Sequence, residues 1–263
     1  MAAKKEVHQN KASLASSDRT KKQWLILNYK PVSFFSLRMT HATSKGGKTL
    51  LVPTPYAFKM ALIDACFRAF EGVQAETEAR ELFDNIKAGE IRFRPPEKCL
   101  VQNTFIKIRQ EERGAPKGIY ASTIAYREFC YFTGLLSIAI GIKNLSEESV
   151  LRLEFVARHI NTIGKRGSFW QFIGHERHES DLPVGYTSPR DEANVSSGEF
   201  ATSHFLDDFG EALCRASDGF NRINTYGSGT IKLGEHRALV PTLLPYRFVR
   251  SSRHFTFYER ISL

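Results

Sequence analysis

A chain of 263 residues is long enough for one large domain or two small ones. With 42% hydrophobic and 25% charged residues it is globular in bulk, and a net charge of +9 points to an anionic partner, nucleic acid first. No apolar run is long enough to span a bilayer, the basic residues do not gather on one amphipathic helix, and the basic N-terminus has no hydrophobic segment. These features argue against a membrane partner and a secretory signal, and they predict a cytoplasmic protein.

Residues 1–22 are polar and mostly basic, and are expected to form a disordered tail. Trp24 to Tyr29 reads as a buried first strand, ended or bent by Pro31, and Phe34 to Leu37 as a continuation of the sheet. A basic loop, Thr40 to Thr49, follows. From Arg19 to Ile63 there is no Asp or Glu, whereas Arg19, Lys21, Lys22, Lys30, Arg38, Lys45, Lys48 and Lys59 are positive. Like charges gathered in this way suit an anion held against them, or else a solvated surface.

Thr54 as N-cap and Pro55 at the first helical position predict a helix from Pro55 to about Phe70. It is apolar almost all round and is therefore expected to be buried. A second helix is expected over about 76–87. Cys99 to Arg109 suggests a strand, residues 111–118 a hairpin end, and Ser122 to Phe132 and Leu135 to Ile142 two more strands. Ser146 caps a third helix that Gly164 closes, and Gly167 to Gly174 forms a short aromatic strand. Residues 175–203 read as a long polar loop, Phe205 to Cys214 as a short helix or strand, Pro241 to Tyr246 as a connection, and Tyr246 to Leu263 as a closing hairpin with a basic face. This order predicts an α+β fold with helices on one face of a mainly antiparallel sheet.

Ala42 to Thr49 fits a nucleotide-binding loop with Ala for the first Gly. Such a loop needs a helix that starts at its Gly-Lys-Thr and runs on, and Pro53 and Pro55 oppose that. What remains is an acid-free segment, Arg38 to Lys48, suited to an extended RNA backbone. His41-Ala-Thr43 and His178-Glu-Ser180 match a two-His phosphoesterase only as short patterns. His175-Glu-Arg-His178 shows neither the helix nor the third ligand of a zinc site, and it reads as a solvated loop. No metal or other cofactor is implied. Cys66, Cys99, Cys130 and Cys214 are too far apart for a metal knuckle and read as buried free thiols. Gly164-Lys165-Arg166-Gly167 lets a backbone approach a phosphate closely, or is a tight turn with incidental charge. Phe169 and Trp170 point to opposite faces of their strand, so one suits the core and the other a stacked base.

In this order and character the chain resembles the RAMP superfamily of CRISPR-associated proteins, and within it the Cas-five family. The likeness rests on the first strand leading into a basic loop, on Pro53-Thr-Pro55 opening a helix, and on Thr123 to Phe129 with its Arg-Glu pair. It rests also on Gly164 to Phe169 after the later helix, and on Gly227-Ser-Gly229 with Gly234 as a glycine-rich loop. The resemblance implies a ferredoxin-like, RRM-like domain over 23–263, with a core over about 23–175, a β-hairpin thumb near 97–120 and a C-terminal β extension over about 204–263. It implies a subunit that caps the 5′ handle of the guide RNA in a Cascade-type complex. Its neighbours would be a RAMP backbone subunit and the large subunit, with target DNA near the PAM as a further partner. The residues expected on RNA are Arg38, His41, Lys45, Lys48, Lys165, Arg166, Phe169 and Trp170. Metal-independent RNA cleavage is the alternative, with His41 as acid or base and Tyr29 and His159 as further candidates. A basic protein-interaction module is the third reading.

Overall fold

The computed structural model describes residues 22–40, 42, 46–112, 114, 116–165, 167–191, 202–224 and 229–261. The fold is built around β1 (Trp24–Pro31), which pairs antiparallel with β6 (Leu136–Gly141) on one side and β7 (Trp170–His178) on the other. Both faces of β1 are covered. Leu25, Leu27 and Tyr29 enter the main core, while Trp24 and Ile26 pack with Ala139 and Tyr186 on the reverse. A strand buried on both faces has no reason to alternate, which accounts for the unbroken Trp-Leu-Ile-Leu run.

β3 (Ile91–Arg94) pairs with the free side of β6, so the sheet runs β3-β6-β1-β7 with every neighbour antiparallel. Two helices, α1 (Pro55–Ala69) and α2 (Gly72–Ile86), lie between β1 and β3, and α3 (Glu147–Ala157) lies between β6 and β7. Two interleaved strand–helix–strand units in this order make a ferredoxin-like sheet, so the α+β expectation holds. The caps behave as the residues dictate. Thr54 Oγ1 accepts from Ala57 N at 3.1 Å, and Ser146 Oγ accepts from Ser149 N at 3.1 Å.

Between β3 and β6 the chain makes one long excursion, β4 (Lys98–Glu111) and β5 (Tyr120–Phe132), paired from Cys99↔Phe132 to Glu111↔Tyr120. This is the hairpin expected near 97–120, and it begins in the core. Cys99, Val101, Cys130 and Phe132 are buried at its root. From Val101 to Glu111 the strand then travels about 33 Å. β12 (Phe255–Arg260) pairs with β4, and β11 (Tyr246–Ser251) with β12, which realises the closing hairpin. β2 (Gly46–Gly47) runs parallel to β5. A third sheet runs β8 (Ser188–Pro189), β10 (Arg237–Leu244), β9 (Thr202–Phe209), followed in the chain after β9 by the short helices α4 (Glu211–Arg215) and α5 (Gly219–Ile223).

Three expectations are corrected. β7 carries on through His175-Glu-Arg-His178, which is not a loop: Arg177 is held by Glu154 at 2.7 Å and Glu147 at 2.8 Å from α3, so a polar edge strand is fixed by ion pairs. Pro241 lies inside β10, where the strand needs only its carbonyl, which accepts from Arg190 N at 2.8 Å. Phe34 to Leu37 does not continue the sheet of β1; only Phe35 bridges, to Cys130. The first 21 residues, expected as a tail, lie outside the described residues. Among the described residues no helix is long and apolar enough to cross a membrane.

Lys59 of α1 is 1% exposed, and its Nζ sits 2.7 Å from Asp208 Oδ1 on β9 and 3.1 Å from the Lys87 carbonyl. Burial raises the Asp208 carboxyl above its usual range, and Lys59 pulls it back. Asp208→Ala leaves the ammonium buried without its counter-charge and is expected to destabilise the fold by about 3 kcal/mol in urea denaturation, while Lys59→Met in the same chain recovers most of that loss.

Candidate nucleic-acid interface

The basic loop is organised as a short ladder. Arg38 bridges Thr49, Met39 N donates to the Lys48 carbonyl at 3.0 Å, and Leu37 N donates to Thr49 Oγ1 at 3.0 Å. Neighbouring residues on such a ladder face opposite ways, so its cations divide. Arg38 opens into a cleft beside α1. Lys48 lies toward the hairpin, 4.0 Å from Glu128 Oε1 and 71% exposed, and Glu128 Oε2 also accepts from Thr49 N at 2.9 Å. The segment is free of acids in sequence but not in space. Its glycines answer to the hairpin too. Gly46 and Gly47 pair with Tyr126 and Arg127, and a Cβ on Gly47 would come within 2.7 Å of Arg127 Cδ. The smallness of Gly47 serves strand pairing.

The cleft has a volume of about 880 Å³ and lies between α1, the basic loop, the turn at Thr162–Lys165 and the α5 region. One face of α1 lines it, with Tyr56, Met60, Asp64, Phe67 and Arg68 at helical spacing. This corrects the expectation of a helix buried all round. Gly164 fixes the other wall. Its φ is +79°, and a Cβ there would lie 2.5 Å from Leu37 Cδ2, so only glycine lets the turn close onto the basic loop. Lys165 and Arg38, 127 residues apart in sequence, thereby share one cleft.

The other cations of the cleft are paired. Arg68 bonds Asp64, and Arg237 bonds the buried Asp207 while stacking over Tyr56 with its guanidinium 4.5 Å from the ring centre. Burial raises the Tyr56 phenol, with Arg237 drawing it back, so the hydroxyl stays protonated at neutral pH. Arg38 gives Nη2 to the Ala42 carbonyl at 2.5 Å, and neither it nor Lys165 meets an acid among the described residues.

The remaining sequence candidates separate. Phe169 is 50% exposed and Trp170 2%, as opposite faces require. Trp170 packs on Phe35, with ring centres 4.9 Å apart, and on Phe132; it is a core residue and leaves the RNA-facing set. Phe169 does not line the cleft. His41, Lys45, Arg166 and the Gly227-Ser228 part of the glycine-rich loop lie outside the described residues. Tyr29 is corrected as a catalytic candidate, since it is sealed in the core with its hydroxyl donating to the Ala157 carbonyl at 2.8 Å. His159 turns Nδ1 to the Phe155 carbonyl at 3.0 Å. Among the described residues no three His, Cys, Asp or Glu gather as a metal site.

Arg68 and Arg237 are not singled out by the sequence, nor are the exposed rings and cations of the outer hairpin. There Phe105 stands against Tyr126 with ring centres 4.0 Å apart, and Lys107 and Arg109 follow on the same face. Alternation at Phe105, Lys107 and Arg109 is the signal that could have found them. Trp170→Ala is expected to lower stability by about 3–5 kcal/mol, as for an aromatic removed from a core, whereas Phe169→Ala is expected to stay within about 0.5 kcal/mol; thermal melting separates the two.

No family model matches the chain. Over 124 residues it is 25% identical to the CRISPR-associated protein Cas5 of Archaeoglobus fulgidus, a match that covers 47% of this chain and 53% of that protein. The chain thus spans about half the length of the curated relative it matches. Among solved structures, a CRISPR protein from Archaeoglobus fulgidus aligns over 91% of this chain and 92% of its own, at 13% identity and a TM-score of 0.45. A chain of a CRISPR RNA-guided surveillance complex aligns over 84% and 90%, at 12% identity and a TM-score of 0.39. A chain of the Type III-B Cmr-beta complex bound to cognate target RNA aligns over 67% and 68%, at 12% identity and a TM-score of 0.44. In sequence, over about half of its length, the chain is thus similar to a CRISPR-associated protein of the Cas5 family.

Proposed function

We propose that this chain is an RNA-binding subunit of a CRISPR ribonucleoprotein that holds the 5′ handle of the guide RNA and lies beside a RAMP backbone subunit and the large subunit. The observation that carries this reading is the convergence of Arg38 and Lys165 on one cleft. Two cations from loops far apart in sequence, neither meeting an acid among the described residues, suit consecutive phosphates of a single strand. The likeness to Cas5 and the net charge of +9 support it. Tyr56 and Phe67 in the same cleft add the ring surfaces on which single-stranded RNA is held.

The hairpin is the thumb of this reading. Its outer face pairs exposed rings with Lys107 and Arg109, which suits it to reach RNA or a neighbouring subunit beyond the body of the fold. Tyr29, a further candidate acid or base for the cleavage alternative, is buried with its hydroxyl engaged and does not serve it. Contact with target DNA near the PAM belongs to the same proposal, as a consequence of where a handle-holding subunit sits.

Arg38→Glu together with Lys165→Glu is expected to weaken binding of the repeat-derived single-stranded RNA at least tenfold and to reduce the salt slope of binding by about 2, one for each phosphate no longer neutralised. The melting temperature is expected to stay unchanged, since both side chains reach solvent. Salt-insensitive binding, or no binding to that RNA, would sink the proposal.

A further inference from the structure

We propose that the cleft beside α1 is a pocket for one unstacked nucleotide of the bound RNA, with its base on the apolar floor and its phosphate at Arg38 and Lys165. This rests on the RNA-binding reading and assigns it a place and a mode. A site that gripped only the sugar-phosphate backbone would need charge and little else. Here the two cations without acid partners among the described residues stand at one wall, and the α1 face between the walls presents Met60 and Phe67. Phe67 is 42% exposed, a large ring left open to water on an otherwise well-packed helix. A phosphate leaves that floor wet, whereas a base covers it. The volume of about 880 Å³ exceeds what one nucleotide fills and admits a neighbouring phosphate as well.

The paired charges narrow the choice further. Arg68 and Arg237 are neutralised by Asp64 and Asp207, so they do not build a polyanion site such as a triphosphate requires. Among the described residues of the cleft, net positive charge remains only where Arg38 and Lys165 stand, which is enough for one or two phosphates. Arg237 and Asp207 hold Tyr56 in place, and the Gly164 turn holds Lys165 near Leu37. The pocket is therefore preformed on both sides, and a single base can enter it without ordering new structure.

The sequence supplies its own reporter. It has three methionines, Met1, Met39 and Met60, and of the two that are described only Met60 lines the cleft. With methyl-labelled methionine, adenosine monophosphate is expected to shift the Met60 methyl resonance saturably through the ring current of its base, and inorganic phosphate to shift it little. Repeat-derived single-stranded RNA should move the same resonance at far lower concentration. Phe67→Ala should weaken the mononucleotide about tenfold, because the base then has no ring to stack on, with the melting temperature unchanged.

If the RNA binds with a steep salt dependence while Met60 stays still, the pocket is wrong and the RNA-binding reading survives. If the free mononucleotide binds tighter than the RNA, the site belongs to a soluble nucleotide and the proposal is overturned. If neither the RNA nor the mononucleotide binds, this proposal and the function it rests on both fall.

Discussion

The ion pair of Lys59 with Asp208 is the constraint on which the arrangement of this molecule turns. An ammonium with 1% exposure is tolerable only beside a counter-charge and with further hydrogen bonding, and Asp208 and the Lys87 carbonyl provide these. The requirement ties α1, the helix over the ferredoxin-like sheet, to β9 in the third sheet. Because β9 is pinned there, its next residue back, Asp207, faces Arg237, and Arg237 in turn lies over Tyr56 at the start of α1. One buried charge therefore fixes the wall and part of the floor of the cleft. The aromatic cluster of Phe83, Phe209 and Phe220 fills the space beneath.

The second organising feature is the division of the basic segment. In one dimension Arg19 to Ile63 is a uniform block of positive charge. In three dimensions three of its described cations go to three different environments. Lys59 is buried on Asp208, Lys48 leans to Glu128 of the hairpin, and Arg38 faces the cleft. The hairpin divides its residues in the same way. The face that begins with buried Cys99 and Val101 ends in exposed Phe105, Lys107 and Arg109. A single strand thus lies in the core at its root and in solvent toward its tip, because period-two geometry keeps one face continuous while burial ends where the body of the fold ends.

For the proposed role, these two features divide the work. The cleft offers a rigid place for one nucleotide, and the hairpin offers reach. Preformed walls lower the entropy lost when RNA is captured. A long exposed hairpin meets its partner by extension, and it relies on that partner to cover its rings.

Much of the secondary structure is legible in the chain itself. Thr54 and Pro55 start α1, Ser146 starts α3, the apolar run at Trp24 marks a strand covered on both faces, and the hairpin shows in its alternation and its glycines. These are local effects of caps, turns and side-chain period, and neighbours in sequence carry them. What tertiary structure alone decided is where charges go. The polar end of β7, His175 to His178, reads as a loop in sequence because the partners of Arg177, Glu147 and Glu154, lie more than twenty residues away. Gly46 and Gly47 read only as part of a basic segment suited to an RNA backbone, because Tyr126 and Arg127, the residues they pair with, are some eighty positions on. Arg38 and Lys165 become one site only through the left-handed turn at Gly164. Electrostatics acts through space, so a sequence determines which residues carry charge, and the fold alone determines which of those charges are neutralised and which are left to hold a ligand.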